Sequence, residues 1–516
     1  MTAETIPAVV DDAARRFGAA EALVDGDLRL SFVELKERVD EAARAFVAAG
    51  LEPGDRVAFW ASNSAEWAIA ALAAYRAGGI VVTLNTRFKA SEARDILERS
   101  RTRILLTEVG FLDTDFLGQL GDPPDCVEEV VVLRGVPTTE VTSFAAFLDR
   151  ADEVEPDVAA GRAHAIDGDD VSDLLFTSGT TGAPKGAMLR HGASVRVFTT
   201  WAQVVGLRSD DRYLIVNPFF HTFGLKAGIL ACLLTGATMY PHPVFDVPQV
   251  MRRVSDERIT MLPGPPAIYQ SILDHRDAAT QDLTSLRLAV TGAATVPVEM
   301  VARMYDELGF ETVVTGYGLT ESTGVVTMCR HDDDPETIAT TCGRPIDGVE
   351  VIVVDDAGNA LPTGEPGEVL VRGRDLMAGY FEDPTATAEA IDPEGWLHTG
   401  DIGVLDERGY LRITDRKKDM FIVGGFNAYP AEIENMLMDH PAVAQVAVIG
   451  VDDDRLGEVG RAFVVLRPGH ELGAEDLIAW CRSRMANYKV PRSTEFVDAL
   501  PMNAANKVVK DELRNR

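Results

Sequence analysis

A chain of 516 residues is too long for one hydrophobic core, so two or more domains are expected. Apolar residues make up 46% and charged residues 25%, the balance of an ordinary globular protein. The formal charge of −32 and the pI near 4.6 repel nucleic acid and anionic membrane, and neither is expected as a partner.

The same acidity repels anionic small molecules, so a site for one must concentrate its own Lys, Arg and N–H donors. Most of these carboxylates need do no more than keep the protein dissolved. Five scattered cysteines (Cys126, Cys232, Cys329, Cys342, Cys481) with no Cys-x-x-Cys argue against a disulfide framework or a zinc site and fit a reducing cytoplasm. The start, Met1 to Phe17, has no basic segment followed by an apolar core, so no signal peptide is expected. The most apolar later window, Phe223 to Tyr240, contains Lys226 and several small residues, which fits a buried helix better than a membrane span.

Apolar spacing predicts helices over 5–17 and 31–49, the second on Phe32, Leu35, Val39, Ala42, Ala43 and Phe46. A strand over 55–60, a helix over 64–78 and a strand over 80–84 follow, the alternation of parallel α/β layers. Asp173-Leu-Leu-Phe176 reads as the end of another strand. It leads into Thr177-Ser178-Gly179-Thr180-Thr181-Gly182-Ala183-Pro184-Lys185-Gly186. Glycines let backbone N–H groups face an oxyanion, hydroxyls add donors, and the lysine adds a mobile positive charge. This is a phosphate cradle, but not a Walker loop, because Gly186 stands where that loop has the Ser or Thr that serves magnesium. The bland alternative is a small-residue linker, which a lysine placed among three spaced glycines disfavours.

The cradle resembles the signature of the adenylate-forming enzymes, which include acyl-CoA synthetases, adenylation domains of peptide synthetases and luciferases. The resemblance runs from about the tenth residue to the end. It implies ATP, Mg2+ and coenzyme A as co-substrates and cofactors of a carboxylic acid's activation. The implied architecture is a large N-terminal domain of layered α/β sheets with a β-rich subdomain, 1–415. A small mobile α+β lid, 416–516, would turn about a hinge near Lys418, in the charged run 415–419.

Further strands are expected at 213–217, 259–262, 286–291 and 312–314, then short strands with glycine-rich turns at 351–355, 368–372 and 410–414. A helix from about Pro430, strands at 443–451 and 462–466, a helix over 474–486 and a strand near 495–497 complete the lid.

Activating a carboxylate means driving it onto the α-phosphorus of ATP, so positioning and charge carry most of the catalysis. By resemblance, Gly292-Ala293-Ala294 forms the adenine wall. In Gly316-Tyr317-Gly318-Leu319-Thr320-Glu321, the resemblance assigns Tyr317 to stack on adenine, Thr320 to touch phosphate and Glu321 to hold magnesium, with Thr177 as second metal contact. Asp401, in Gly395-Trp-Leu-His-Thr-Gly-Asp401, matches the ribose clamp, since a carboxylate accepts from both hydroxyls of a diol. Arg416 is the second ribose contact. His221, in Asn217-Pro-Phe-Phe-His-Thr-Phe-Gly224, matches an aromatic-flanked histidine that gates thiol entry, although a lone histidine in an apolar stretch is more often packed than catalytic. Lys507 matches the lysine that reaches the carboxylate and α-phosphate. Asn506 stands where the family normally has Gly; Asn visits the left-handed region most readily among the other residues, which keeps Lys507 in place, with Lys510 as runner-up. Gly424-Gly425 would let a loop lie along pantetheine, with Tyr488, Lys489 and Arg455 as contacts for the CoA nucleotide.

Within the family, segments Asn217–Asp246, Ile259–His275 and Thr340–Pro345 are most similar to an actinobacterial branch of steroid degradation. That branch activates the propanoate side chain of the methylhexahydroindanedione left from rings C and D. The alternatives are a ligase for medium- or long-chain fatty or aryl acids, a stand-alone adenylation enzyme loading a carrier protein, and a non-catalytic nucleotide binder. No carrier domain follows Lys507, which favours free CoA, and the retention of Lys185, Glu321, Asp401, Arg416 and Lys507 together disfavours the last. A homodimer is left open.

Overall fold

The computed structural model describes residues 3–136, 141–177, 184–275, 281–292, 296–416, 419–423, 426–453, 456–482, 484–485, 487–503 and 507–516, with 415, 416, 422, 426 and 427 as backbone. The chain divides into two compact units, Met1–Glu350 with Val371–Leu397 and Val351–Leu370 with His398–Arg516.

The first unit is built on a sheet in the order Lys185–Arg190, Val171–Thr177, Ile80–Thr83, Arg56–Trp60, Thr102–Phe111, Glu129–Arg134, Thr142–Ser143. From Val171–Thr177 onward along this path, neighbours are parallel, while the edge strand Lys185–Arg190 runs antiparallel. Thr177 therefore lies at the carboxyl end of a parallel strand, where open α/β sheets bind their ligands. Arg212–Ile215, Thr238–Pro241, Glu21–Asp25 and Leu28–Ser31 form a second sheet; Leu288–Gly292, Thr312–Tyr317, Thr327–Met328 and Arg344–Pro345 form a third. Met261 bridges Tyr213 on one and Leu288 on the other.

The expected strand 259–262 is present as extended backbone rather than a regular ladder: Met261 is its bridged residue, Thr260 N donates to Arg212 O at 2.9 Å and Leu262 N to Leu288 O at 3.1 Å. Pro263, Pro265 and Pro266 follow at once, and prolines cannot donate to a ladder. Helix Ile6–Phe17 and helix Phe32–Ala48 form as their apolar stripes dictate, the second opened by a capping box in which Ser31 and Glu34 serve each other's backbone N–H. Helix Ala65–Arg76 is capped by Ser64 and buried at every residue except Glu66, because its alanines let neighbours approach from all sides. Its buried Arg76 is met by Asp11 at 3.0 Å and Asp40 at 2.5 Å. The window from Phe223 is a π-helix, Phe223–Leu230, continued by helix Ala231–Thr235 and then by strand Thr238–Pro241. No helix among the described residues is long and apolar enough to cross a membrane.

The second unit contains most of a four-stranded sheet in the order Val349–Val354, Gly367–Gly373, Leu397–Leu405, Leu411–Arg416. Another sheet follows, Phe426–Ala428, Phe421–Val423, Gly457–Leu466, Val443–Asp453, with Ser493–Phe496 parallel to Gly457–Leu466. Helices Pro430–Met438 and Ala474–Arg482 supply Ile433, Leu437, Leu477 and Cys481 to its core.

Candidate active site

In the first unit the cradle is flanked by Thr177 and Lys185, which are register partners across the antiparallel edge. Thr177 Oγ1 lies 3.4 Å from Lys185 O and 3.3 Å from Glu321 Oε1; with one proton it donates to one of them at a time. Glu321 is carried on a single 3-10 turn, Thr320–Ser322, where the peptide N–H of Leu319 donates to Ser322 Oγ at 3.0 Å. Gly318 before it is obligatory, since a Cβ there would lie 2.2 Å from Gly324 O, and Gly316 is tightly placed, a Cβ there lying 3.0 Å from Thr327 O. Gly316 pairs with Gly292 across parallel strands, a side-chain-free step beside Tyr317.

One member of the cluster was missed by sequence reasoning. The Tyr380 hydroxyl donates to Glu321 Oε1 at 2.8 Å, and Lys185 Nζ stands 5.3 Å from the centre of the Tyr380 ring. Burial first, then the Glu321 charge, pushes this phenol well above the usual tyrosine range, so it stays a donor. Nothing in Ala378-Gly-Tyr-Phe381 signals such a role.

The loop bearing His221 is held from outside its own segment. Asn63 Nδ2 donates to Ile215 O at 3.0 Å and Asn217 O at 2.9 Å, while its Oδ1 accepts from Phe219 N at 2.7 Å. Thr83 Oγ1 donates to Phe220 O at 2.7 Å. His221 is exposed, and its Nδ1 accepts from Phe223 N at 3.2 Å, which leaves the proton of a neutral ring on Nε2.

The second unit positions its candidates separately. Asp401 is buried on strand Leu397–Leu405; its peptide N–H donates to Thr399 Oγ1 at 3.1 Å, and that hydroxyl donates to Val369 O at 2.7 Å. Asp401 and Arg416 are register partners, so the two expected ribose contacts sit opposite one another on adjacent strands. Lys489 Nζ pairs with Glu432 at 2.5 Å. Lys507 is exposed near the end of a hairpin closed by the Met502–Val508 bridge, its peptide N–H donating to Asn503 Oδ1 at 2.9 Å. Lys510, the runner-up, is engaged with Glu434 at 2.8 Å. Ser178, Gly179, Thr180, Thr181, Gly182, Ala293, Ala294, Lys418, Gly424, Gly425, Arg455 and Asn506 lie outside the described residues, as does the side chain of Arg416.

Thr177 and Glu321 offer one hydroxyl and one carboxylate, both half-exposed hard oxygen donors. No group of three or more His, Cys, Asp or Glu that could hold a metal occurs among the described residues. Such a sparse set fits magnesium, which keeps several waters and takes remaining ligands from phosphates, and does not fit a caged metal.

The profile of the AMP-binding enzyme family matches residues 10–381, and that of the AMP-binding enzyme C-terminal domain matches 432–507. The chain belongs to the AMP-binding enzyme family. It is 52% identical over 517 residues to a 3-[(3aS,4S,7aS)-7a-methyl-1,5-dioxo-octahydro-1H-inden-4-yl]propanoyl:CoA ligase of Rhodococcus jostii, covering 99% of this chain and 98% of that protein. A Mycobacterium tuberculosis ligase of the same name is 51% identical, with the same coverage. Among solved structures, the anthranilate CoA ligase AuaEII in complex with anthranoyl-AMP superposes with a TM-score of 0.85 at 27% identity, covering 99% of this chain and 96% of that one. The o-succinylbenzoate coenzyme A synthetase of Bacillus subtilis with ATP and magnesium gives 0.82 at 29% identity, covering 98% of each chain. This AMP-binding enzyme is an AMP-forming acid–thiol ligase: a carboxylic acid and ATP give acyl-AMP and pyrophosphate, and CoA then displaces AMP.

Proposed function

We propose that the acid is the propanoate side chain of a methylhexahydroindanedione, the bicycle left from steroid rings C and D. The observation that carries this is the 52% identity to a ligase named for that acid, sustained over 99% of this chain and 98% of the relative.

In the first half-reaction two anions must approach, so the cradle N–H groups, its hydroxyls and Lys185 offset the phosphate charge. Thr177 and Glu321 would hold Mg2+, which when bound neutralises phosphate charge. Thr320 contacts phosphate, Tyr317 and Gly292-Ala293-Ala294 enclose adenine, Asp401 and Arg416 take the ribose, and Lys507 reaches the carboxylate and α-phosphate. In the second half-reaction the lid turns about Lys418, His221 gates the thiol, and Gly424, Gly425 and Lys489 line the path of CoA. A domain boundary at 415/416 is supported by the interval between the two family matches, 382–431. The reducing compartment its cysteines suggest is the cytoplasm.

The test is carboxylate-dependent pyrophosphate release with Mg-ATP and CoA, across fatty, aryl and indanedione-propanoate acids. Turnover on the bicyclic acid far above the others is expected. Equal or better turnover on a fatty or aryl acid would remove the steroid assignment and keep the ligase.

A further inference from the structure

We propose that Tyr380 is a positioning residue for adenylation, its hydroxyl fixing the metal-binding carboxylate of Glu321 and its ring seating Lys185. This rests on the reading of Glu321 as the magnesium ligand. Tyr380 is 59 residues from Glu321 in sequence, yet its hydroxyl donates to Oε1 at 2.8 Å, and three residues before it Met377 N donates to Glu321 O at 2.8 Å. The segment 378–381 is itself laid along the strand that starts at Lys185. Ala378 N donates to Met188 O at 2.8 Å, Met188 N to Gly379 O at 3.0 Å, and Phe381 N to Gly186 O at 2.8 Å. Tyr380 N donates to Thr387 Oγ1 at 2.8 Å, which fixes the last freedom of that peptide. The ring is thus rigidly placed between the two groups of opposite charge that the site contributes to nucleotide phosphates.

The division of Glu321's two oxygens gives the arrangement its function. Tyr380 donates its hydroxyl to Oε1 and Thr177 Oγ1 lies 3.3 Å from the same oxygen, while no described residue donates to Oε2. A hydrogen bond from a neutral hydroxyl to a carboxylate is charge-assisted and holds the rotamer firmly. One oxygen is therefore occupied with orientation and the other turned out for a cation. Beneath Lys185, the aromatic face holds an ammonium without neutralising it, as a carboxylate partner would. No carboxylate of the described residues makes an ion pair with Lys185.

The experiment measures Mn2+-ATP binding by electron paramagnetic resonance in the whole protein, for wild type, Tyr380→Phe, Glu321→Gln and the double variant. Loss of the charge-assisted hydroxyl in Tyr380→Phe is expected to weaken binding on the order of ten-fold. Glu321→Gln should weaken it more, and the double variant no further than Glu321→Gln alone, because the hydroxyl acts through the carboxylate. Wild-type affinity in Tyr380→Phe, or losses that simply add in the double variant, would overturn the proposal. Wild-type affinity in Glu321→Gln would instead overturn the metal assignment itself, and this inference with it. Tyr380→Leu, which also removes the ring, should raise KM for ATP a further few-fold over Tyr380→Phe. Equal KM in the two would overturn the role assigned to the ring.

Discussion

Strand Val171–Thr177 carries polar groups near both ends, and the two ends are treated in opposite ways. At Asp173 the carboxylate is fully buried and satisfied within the protein, by Lys226 Nζ at 2.5 Å, the Tyr75 hydroxyl at 2.5 Å and the Ser172 hydroxyl at 2.5 Å. Lys226 is equally buried, in the widened turns of the π-helix, with the Tyr75 ring 4.8 Å from its ammonium. Burial lowers its pKa and the Asp173 charge opposes that. Four residues further on, Thr177, Lys185 and Glu321 bring together the same chemical types half-exposed. There the lysine is offered an aromatic face rather than a counter-ion. Charge completed by the protein holds elements together; charge left incomplete is available to a ligand. The first arrangement anchors the π-helix that follows the His221 loop to the strand that ends at the cradle, so the dry pair supports the wet one.

That contrast can be broken or sharpened by substitution. Asp173→Ala strands a buried ammonium and should cost about 3–5 kcal/mol in chemical denaturation, while Asp173→Leu with Lys226→Met recovers most of it. Unchanged stability in Asp173→Ala would remove the distinction between the two ends of the strand. Lys507→Ala should lower adenylate formation by about 10²–10³-fold, with thioesterification of a supplied acyl-adenylate close to wild type. Rapid-quench assays of the separate half-reactions check this, and equal loss of both would contradict the assignment.

His191, packed edge-on to Tyr75 and near the same pair, is held at about 3 by burial first and then by the Lys226 charge. Its folded pKa lies below its unfolded one, so below about pH 6.5 the unfolded state takes up a proton that the folded state refuses. Stability should therefore fall as pH is lowered, by about 1.4 kcal/mol per unit between roughly pH 6 and 4 from this group, a contribution that His191→Gln takes out of the denaturation curves. His242, depressed to about 4 by burial and then by Arg253, acts in the same direction, so some slope remains in that variant. The smallest effect belongs to Lys510→Ala, which breaks a partly exposed pair with Glu434 and should cost about 0.2–1 kcal/mol in stability with adenylation unchanged.

Much of the candidate site was legible because its chemistry is local. Thr177, Lys185 and Glu321 announce themselves through glycines and hydroxyls within a few positions, and the glycine requirement at Gly318 follows from a backbone contact that no side chain could share. The alternation of helix and apolar strand likewise foretold Arg56–Trp60, Ile80–Thr83 and the end of Val171–Thr177 in the first sheet, but not Thr102–Phe111, Glu129–Arg134 or the edge strand Lys185–Arg190. Tyr380 was not legible, since its contacts to Glu321 and Lys185 come from segments 59 and about 195 residues away in a stretch with no periodicity of its own. Lys226 was visible only as an interruption of an apolar window. Its partner lies on another element, and window patterns do not pair distant positions. Ile259–Leu262 was legible as an apolar run between two strands, while its prolines, which cannot donate, keep it from a regular ladder beyond Met261 even though Leu262 N and Gly264 N still donate to Leu288 O and Val290 O.

The most direct measurement is acid-dependent ATP–pyrophosphate exchange without CoA, comparing wild type with Lys185→Ala and Glu321→Gln and following each by thermal melting. Exchange should require both the acid and magnesium. It should fall on the order of ten- to a hundred-fold in each variant, because charged contacts of this kind contribute about 1.5–3 kcal/mol, while melting stays within the narrow range of surface substitutions. Exchange that persists in both variants, or that falls only as far as the fold itself is lost, would contradict the placement of the nucleotide at this cluster.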